Sequence, residues 1–236
     1  MAGAPATARE AASPATAHPS ATCRQPVTPS FQRSLKRLVD IMVSAALLVV
    51  CAPIMALVAL AIRLDSPGPV FYNRVRVGKD GRTFVMYKFR TMAADAEQRL
   101  ASLQHLNQGG FHMIKIPQDP RVTRIGKLLR PSSLDELPQL VNVLKGEMSL
   151  VGPRPQTPSE VALYTPEQRG RLAVRPGITG LWQVRDRHNP SFVQWVRWDL
   201  TYIEHWSLRL DAWIIWQTAV MTSRDTCRAI MRLVAA

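Results

Sequence analysis

The chain has 236 residues, 47% of them apolar, so it is long enough for one sizeable domain and too hydrophobic to be disordered as a whole. Thirty Lys and Arg against 17 Asp and Glu leave a formal charge of +13, which calls for anionic partners: nucleic acid, acidic lipid or phosphorylated small molecules. Cys23, Cys51 and Cys227 are widely separated, and the five histidines fall outside any ligand spacing; both facts argue against a disulfide framework and against zinc chemistry.

Residues 1–30 hold nine Ala, five Pro, no aromatic residue and the single acid Glu10. That composition cannot bury enough surface to offset its ordering entropy, so a flexible tail is expected. From Ile41 to Ile62 no residue carries a formal charge. As a helix these 22 residues measure ~33 Å, enough for a ~30 Å hydrocarbon layer. Few soluble helices are apolar on every side for six turns, so a membrane segment is expected. Its flanks are basic on both sides, with Arg33, Lys36 and Arg37 before and Arg63, Arg74, Arg76 and Lys79 after, so neither end reads as translocated. Pro53, near the midpoint, removes one helical hydrogen bond and disfavours helical geometry at Ala52. A break there would return the chain to its starting face as a re-entrant hairpin; a kinked spanning helix is the alternative.

Val70 to Val77 and Thr83 to Phe89 read as two strands, joined by the turn signal of Gly78-Lys79-Asp80-Gly81. Ala93 to Gln108 has a helical pattern, and Val122 to Leu129 is a short amphipathic candidate. Arg121, Arg124, Lys127 and Arg130 recur every third residue along it, a basic stripe fit either for an anionic membrane face or for solvent. Five of the six tryptophans lie between Trp195 and Trp216, as a membrane interface or a core would use them.

There is no G-x-G-x-x-G, Walker loop or G-x-S-x-G elbow, and no D-x-D pair. What stands out is Arg130-Pro131-Ser132-Ser133-Leu134-Asp135-Glu136-Leu137-Pro138-Gln139-Leu140, in which adjacent acids follow the basic stripe. Ser133 to Glu136 also matches an S-x-x-E capping box, which by itself would account for the acids. Downstream, Val151-Gly152-Pro153-Arg154-Pro155 holds an arginine between two rigid prolines, and Arg175-Pro176-Gly177-Ile178-Thr179-Gly180 repeats the theme. Arginines set in a stiff backbone around a carboxylate pair suit a pyrophosphate substrate.

At these residues the sequence resembles the monotopic polyprenyl-phosphate phosphoglycosyl transferases, the bacterial sugar transferases that start exopolysaccharide and glycoconjugate synthesis. The resemblance runs from about Lys36 to Thr218. It takes in Lys36 to Asp40, Ser66 to Phe71, Tyr87 to Met92, Leu134 to Leu144, Met148 to Pro155 and Arg175 to Gly180. It implies a mixed α/β, mostly helical fold, in which a re-entrant membrane helix hairpin carries a small cytoplasmic catalytic domain with amphipathic interfacial helices. It also implies a Mg²⁺-dependent transfer of a sugar 1-phosphate from a nucleotide sugar, usually a UDP-sugar, to undecaprenyl phosphate at the bacterial inner membrane. Asp135 would be the nucleophile. Glu136 would assist with metal or proton handling, Asp135 and Glu136 would be the metal-side carboxylates, and Arg130, Arg154 and Arg175 would bind phosphate. Lys36 and Arg37 would draw in the lipid phosphate, and Pro53 would break the membrane helix. Membrane lipids are expected partners; nucleic acid is not.

Two positions depart from the family pattern: Ala52 stands where Ser commonly precedes the membrane proline, and Asp186 stands where Gly usually follows the Gln-Val pair. Larger members carry a further membrane domain ahead of the catalytic part, for which the 30-residue tail is expected to leave no room. The expected organisation is a tail at 1–30, a membrane helix at 31–64 and a catalytic domain at 65–236. The rival reading is a basic membrane-surface scaffold or nucleic-acid-binding protein without catalysis, but no helix-turn-helix or RNA-binding signature supports it.

Overall fold

The computed structural model describes residues 30–107, 116–187, 189 and 191–234. The expected tail therefore lies outside the described residues except for Ser30, which opens α1 (Ser30–Asp65). This helix runs continuously through Pro53, so the break expected there does not divide it into two elements. Its surface is sharply two-sided. Asp40, Ser44, Val58 and Ile62 are buried, with Leu48 and Met55 packed between them against the domain. These positions follow the three- and four-residue steps of one helical face. On the other face Val49 is 76% and Leu64 78% exposed. A soluble protein's core helix does not leave such a face bare, whereas a lipid layer would cover it.

Polar bonds tie α1 down at both ends. Near its start Lys36 Nζ donates to Asp211 Oδ2 (2.7 Å), and Asp40 accepts from Ser149 Oγ (2.8 Å) and from the Leu150 amide (3.2 Å). Arg37 donates to the carbonyls of Val143 (2.6 Å) and Leu144 (2.9 Å). At its end Asp65 Oδ2 accepts from the Ile125 amide (3.0 Å).

The hairpin expected around residue 80 is present, with β1 (Arg74–Val77) antiparallel to β2 (Thr83–Met86) and Val75 opposite Val85. Asp80 takes a positive φ of 56° in the turn, a conformation that Asp tolerates better than most residues. The strands are shorter than expected, since Phe71 and Phe89 join only as an isolated bridge. The helix expected over residues 93–108 shrinks to α2 (Leu100–Leu103) and one following 3₁₀ turn; Gln108 lies outside the described residues. The amphipathic candidate forms α3 (Arg124–Ser132), capped by Thr123 accepting from the Gly126 amide. Its basic stripe is broken, because Arg121 is buried against Asp119 (2.7 Å) before the helix begins. Arg124, Lys127 and Arg130 remain exposed along the helix.

After α4 (Gln139–Lys145) comes β3 (Ser149–Val151), parallel to β4 (Gly177–Thr179). The crossover between the two strands contains α5 (Pro158–Ala162) and a 3₁₀ stretch, Gln168–Ala173. Gly152 and Gly177 let the two backbones touch: a Cβ on Gly177 would stand 2.1 Å from the Gly152 nitrogen. Then α6 (Leu181–Arg185), α7 (Phe192–Glu204) and α8 (Leu208–Val234) cover the pair. Ile203 and Ile214 join Leu140, Val151 and Leu181 in one buried cluster. Trp195 is core, whereas Trp216 stands exposed, so the tryptophans divide between packing and surface. The architecture is mostly helical, one long apolar helix joined to a small mixed α/β domain.

Candidate active site

The acids lie in the elbow between α3 and α4. Ser133 adopts the left-handed conformation (φ 54°), which ends α3, and a single 3₁₀ turn, Leu134–Glu136, follows before Pro138 leads into α4. The capping box foreseen at Ser133 does not form, for Ser133 makes no side-chain cap bond. A left-handed residue closes a helix rather than opening one, and the Glu136 side chain is turned toward cations instead.

Asp135 is 2% exposed. Its carbonyl accepts from the Phe89 amide (2.9 Å), which fastens the elbow to the chain leaving β2. Next to Phe89, Lys88 places its Nζ 2.9 Å from Asp135 Oδ2 and 3.3 Å from Glu136 Oε1. Arg154 Nη1 approaches the same Glu136 oxygen at 3.9 Å, coming from the loop after β3. Arg130 stands beside the pair and donates Nε to Thr91 Oγ1 (3.2 Å).

Two neighbouring carboxylates thus converge on one ammonium, in unequal surroundings. Burial pushes the Asp135 carboxyl up, and the nearby Glu136 charge adds to that, while Lys88 and Arg130 pull against them. For Glu136 burial also works upward, but Lys88 and Arg154 outweigh it and the net direction is down. The pair is therefore graded: Glu136 holds its charge more firmly than Asp135. Among the described residues no three His, Cys, Asp or Glu side chains gather as a metal cluster. The oxygen donors open to a hard cation here are those of Asp135 and Glu136.

The structure brings Asp135, Glu136 and Arg154 together, with Arg130 adjacent. The other expected residues are bonded elsewhere. Lys36 is paired with Asp211 and Asp40. Arg37 closes the C-terminal carbonyls of α4, and Arg175 Nε donates to Gly146 O (2.7 Å) at that same end. The acids precede the opposite end of the helix. Lys88 is not among the expected site residues: it falls in the Tyr87 to Met92 block of the resemblance, but it lies far from the acids in sequence. Strand parity carries a physical signal, since Phe84, Met86 and Lys88 fall on one face of an extended chain. A charge continuing a core-facing row calls for a buried partner of opposite sign.

Residues 31–225 match the family model described as bacterial sugar transferase. The chain is 46% identical over 181 residues to the galactosyl transferase CpsE of Streptococcus agalactiae, a match covering 76% of this chain and 40% of that protein. It is 39% identical over 197 residues to the exopolysaccharide production protein ExoY of Sinorhizobium fredii, covering 81% and 87%. A third relative, UDP-glucose:undecaprenyl-phosphate glucose-1-phosphate transferase of Caulobacter vibrioides, is 41% identical over 192 residues, covering 78% and 67%.

If Lys88 is the charge that allows two acids to sit in this elbow, Lys88→Met leaves Asp135 buried without its counter-ion. The expected loss is about 1–3 kcal/mol, less than for a fully buried pair because the Lys88 side chain keeps 22% of its exposure. Adding Asp135→Asn should restore most of it. Thermal midpoints of the wild type, both single variants and the double variant check this, and strictly additive effects would contradict the coupling.

Proposed function

The chain belongs to the bacterial sugar transferase family, and on that premise we propose that it transfers a sugar 1-phosphate from a nucleotide sugar to undecaprenyl phosphate by way of a phosphorylated Asp135. The proposal is supported most directly by the convergence of Asp135 and Glu136 on Lys88, with Arg154 at the rim. A UDP-sugar donor is in keeping with the Caulobacter vibrioides relative, a UDP-glucose:undecaprenyl-phosphate glucose-1-phosphate transferase, and a role at the start of exopolysaccharide or related glycoconjugate synthesis with the Sinorhizobium fredii exopolysaccharide production protein; the leaving group from such a donor is UMP.

In the first step an Asp135 carboxylate oxygen attacks the sugar-bearing phosphorus. An aspartyl O–P bond forms, the bond from that phosphorus to the bridging oxygen breaks, and UMP departs with the bridging electrons. In the second step an oxygen of the lipid phosphate attacks the same phosphorus and expels the Asp135 carboxylate. The product is the polyprenyl diphosphate sugar. A carboxylate nucleophile divides one hard displacement between dianionic partners into two easier ones.

Lys88 favours the ionised form of Asp135 against the upward push of burial. When Asp135 is esterified its charge disappears, and the ammonium is left facing the new phosphoryl oxygens. Among the described residues the Arg154 side chain makes one ion pair, the 3.9 Å approach to Glu136, so its fork of donors is available to the diphosphate. Arg130, beside the elbow, adds a second guanidinium. Arg175, exposed at the far end of α4, would meet phosphate only outside the elbow. Asp135 and Glu136 fit Mg²⁺ as a pair of hard oxygen donors that would hold it beside the substrate phosphates. Bound there, Mg²⁺ would supply further neutralisation of phosphoryl charge.

The exposed face of α1 suits the acyl layer, while both of its ends are bonded to one small domain. That combination favours re-entry from the cytoplasmic face of the inner membrane over passage across it. The exposed Trp216, Ile230 and Met231 of α8 and the outward Arg124 and Lys127 of α3 suit an anionic lipid interface. Lys36 and Arg37, at the mouth of this segment, would serve the lipid phosphate only by giving up existing bonds.

Two measurements test this. With Mg²⁺, undecaprenyl phosphate and a panel of UDP-sugars, the wild type should release UMP from at least one donor, and chelation or Asp135→Asn should lower the rate by more than a thousandfold, on the order of removing a covalent nucleophile. No turnover of any nucleotide sugar by folded protein would favour a scaffold. For topology, single cysteines at Ser34 and Pro67 in a background without Cys23, Cys51 and Cys227 should label from the same side of sealed vesicles. Labelling from opposite sides would replace re-entry with a spanning helix.

A further inference from the structure

Two of the most deeply buried charges take no part in the chemistry above. Arg171, in the crossover between β3 and β4, is 3% exposed, and Asp199, on α7, is 1% exposed. Arg171 Nε donates to Asp199 Oδ2 (2.7 Å), with Nη2 2.6 Å from the same oxygen. Its Nη1 donates to the Tyr164 hydroxyl (2.6 Å), and its guanidinium lies 5.5 Å from the centroid of the Phe192 ring. A buried ion pair is seldom more stabilising than apolar residues of the same volume. Its presence calls for a task that an apolar pair would not perform.

One bond of this cluster leads out of it: Arg171 Nη2 donates to the backbone carbonyl of Arg154 (3.2 Å). Arg154 lies between Pro153 and Pro155, whose rings fix φ on either side, so few backbone torsions remain free. Holding this carbonyl fixes much of what remains, and with it the direction in which the Arg154 side chain leaves the loop. Arg171 and Tyr164 line the crevice beneath the loop together with Pro153, Pro155 and Leu172.

We propose that Arg171, oriented by Asp199 and Tyr164, is a positioning residue that aims Arg154 at the diphosphate of the nucleotide sugar. This rests on the phosphate-binding role given to Arg154 above. Arg171 itself touches no substrate. Asp199 and Tyr164 use up the other edges of its guanidinium, so that Nη2 meets the Arg154 carbonyl from one direction only. A lysine in its place would keep the charge but lose the planar fork that meets Asp199, Tyr164 and the Arg154 carbonyl in fixed directions.

The test is a double-mutant cycle read in steady-state kinetics, using the UDP-sugar that the wild type turns over, Mg²⁺ and undecaprenyl phosphate. Arg171→Lys should raise the KM for the donor about tenfold and leave the KM for the lipid phosphate unchanged. Arg154→Ala should raise the donor KM at least as far, and adding Arg171→Lys to it should cost no more. Tyr164→Phe removes one hydrogen bond from Arg171 but spares the ion pair, so it carries the same test if Arg171→Lys lowers the thermal midpoint. An Arg171→Lys or Tyr164→Phe effect that persists undiminished beside Arg154→Ala overturns the positioning role alone. So does an equal rise in both KM values. An unchanged donor KM in Arg154→Ala overturns the phosphate role of Arg154 and the positioning role with it.

Discussion

Two neighbouring carboxylates in a place nearly closed to water call for a cation between them, and here that cation is Lys88. Much of the local structure serves this meeting. The chain leaving β2 runs past the elbow so that Phe89 can bond the Asp135 carbonyl while Lys88 reaches both acids. The left-handed Ser133 stops α3 one residue before the acidic turn begins. Were α3 to continue, adjacent acids would diverge by roughly 100° around its axis and lose their common point. The arrangement also leaves the acids unequal, with Asp135 nearer to taking a proton and Glu136 more firmly ionised. Such grading suits the division of labour proposed for them.

The apolar helix is built into this site rather than hung from the domain. Asp40 bonds Ser149 and Leu150 of β3. Lys36 holds Asp211, to which Tyr202 donates (2.8 Å) while also bonding the Val151 carbonyl (3.0 Å). Three residues beyond Val151 stands Arg154. Anchoring of α1 and placement of Arg154 therefore share one strand, and from the other side Arg171 grips the same loop. In an interior packed at crystalline density a shift of either support is carried to the arginine rather than absorbed. The proposed positioning of the donor diphosphate draws on both supports.

What the sequence disclosed and what it withheld divide on physical lines. The apolar run of α1, the turn near Asp80 and the pairing of Asp135 and Glu136 with Arg154 rest on local composition or on residue chemistry, and these were legible. The helix foreseen over residues 93–108 mostly gave way to turns, since periodicity alone does not guarantee the packing a short helix needs. Arg121 left the basic stripe because Asp119, two residues away, satisfies it in a buried pair. Lys36, Arg37 and Arg175, expected near phosphate, bond a carboxylate and backbone carbonyls in the fold, because arginine and lysine serve carbonyls, carboxylates and phosphates alike. Lys88 was hidden for the complementary reason, as its partners lie far along the chain. Whether Pro53 turns the helix back is a question of environment, which the sequence alone leaves open.

The central claim is that the Asp135 carboxylate itself becomes phosphorylated. Intact-protein mass spectrometry after rapid quenching, with the nucleotide sugar and Mg²⁺ supplied and the lipid acceptor withheld, addresses it directly. The account predicts a mass increase of one sugar phosphate, located by peptide mapping at residue 135 and discharged when undecaprenyl phosphate is added. A protein that turns over with both substrates yet never gains mass with the donor alone would contradict it and point to direct transfer between the two bound phosphates.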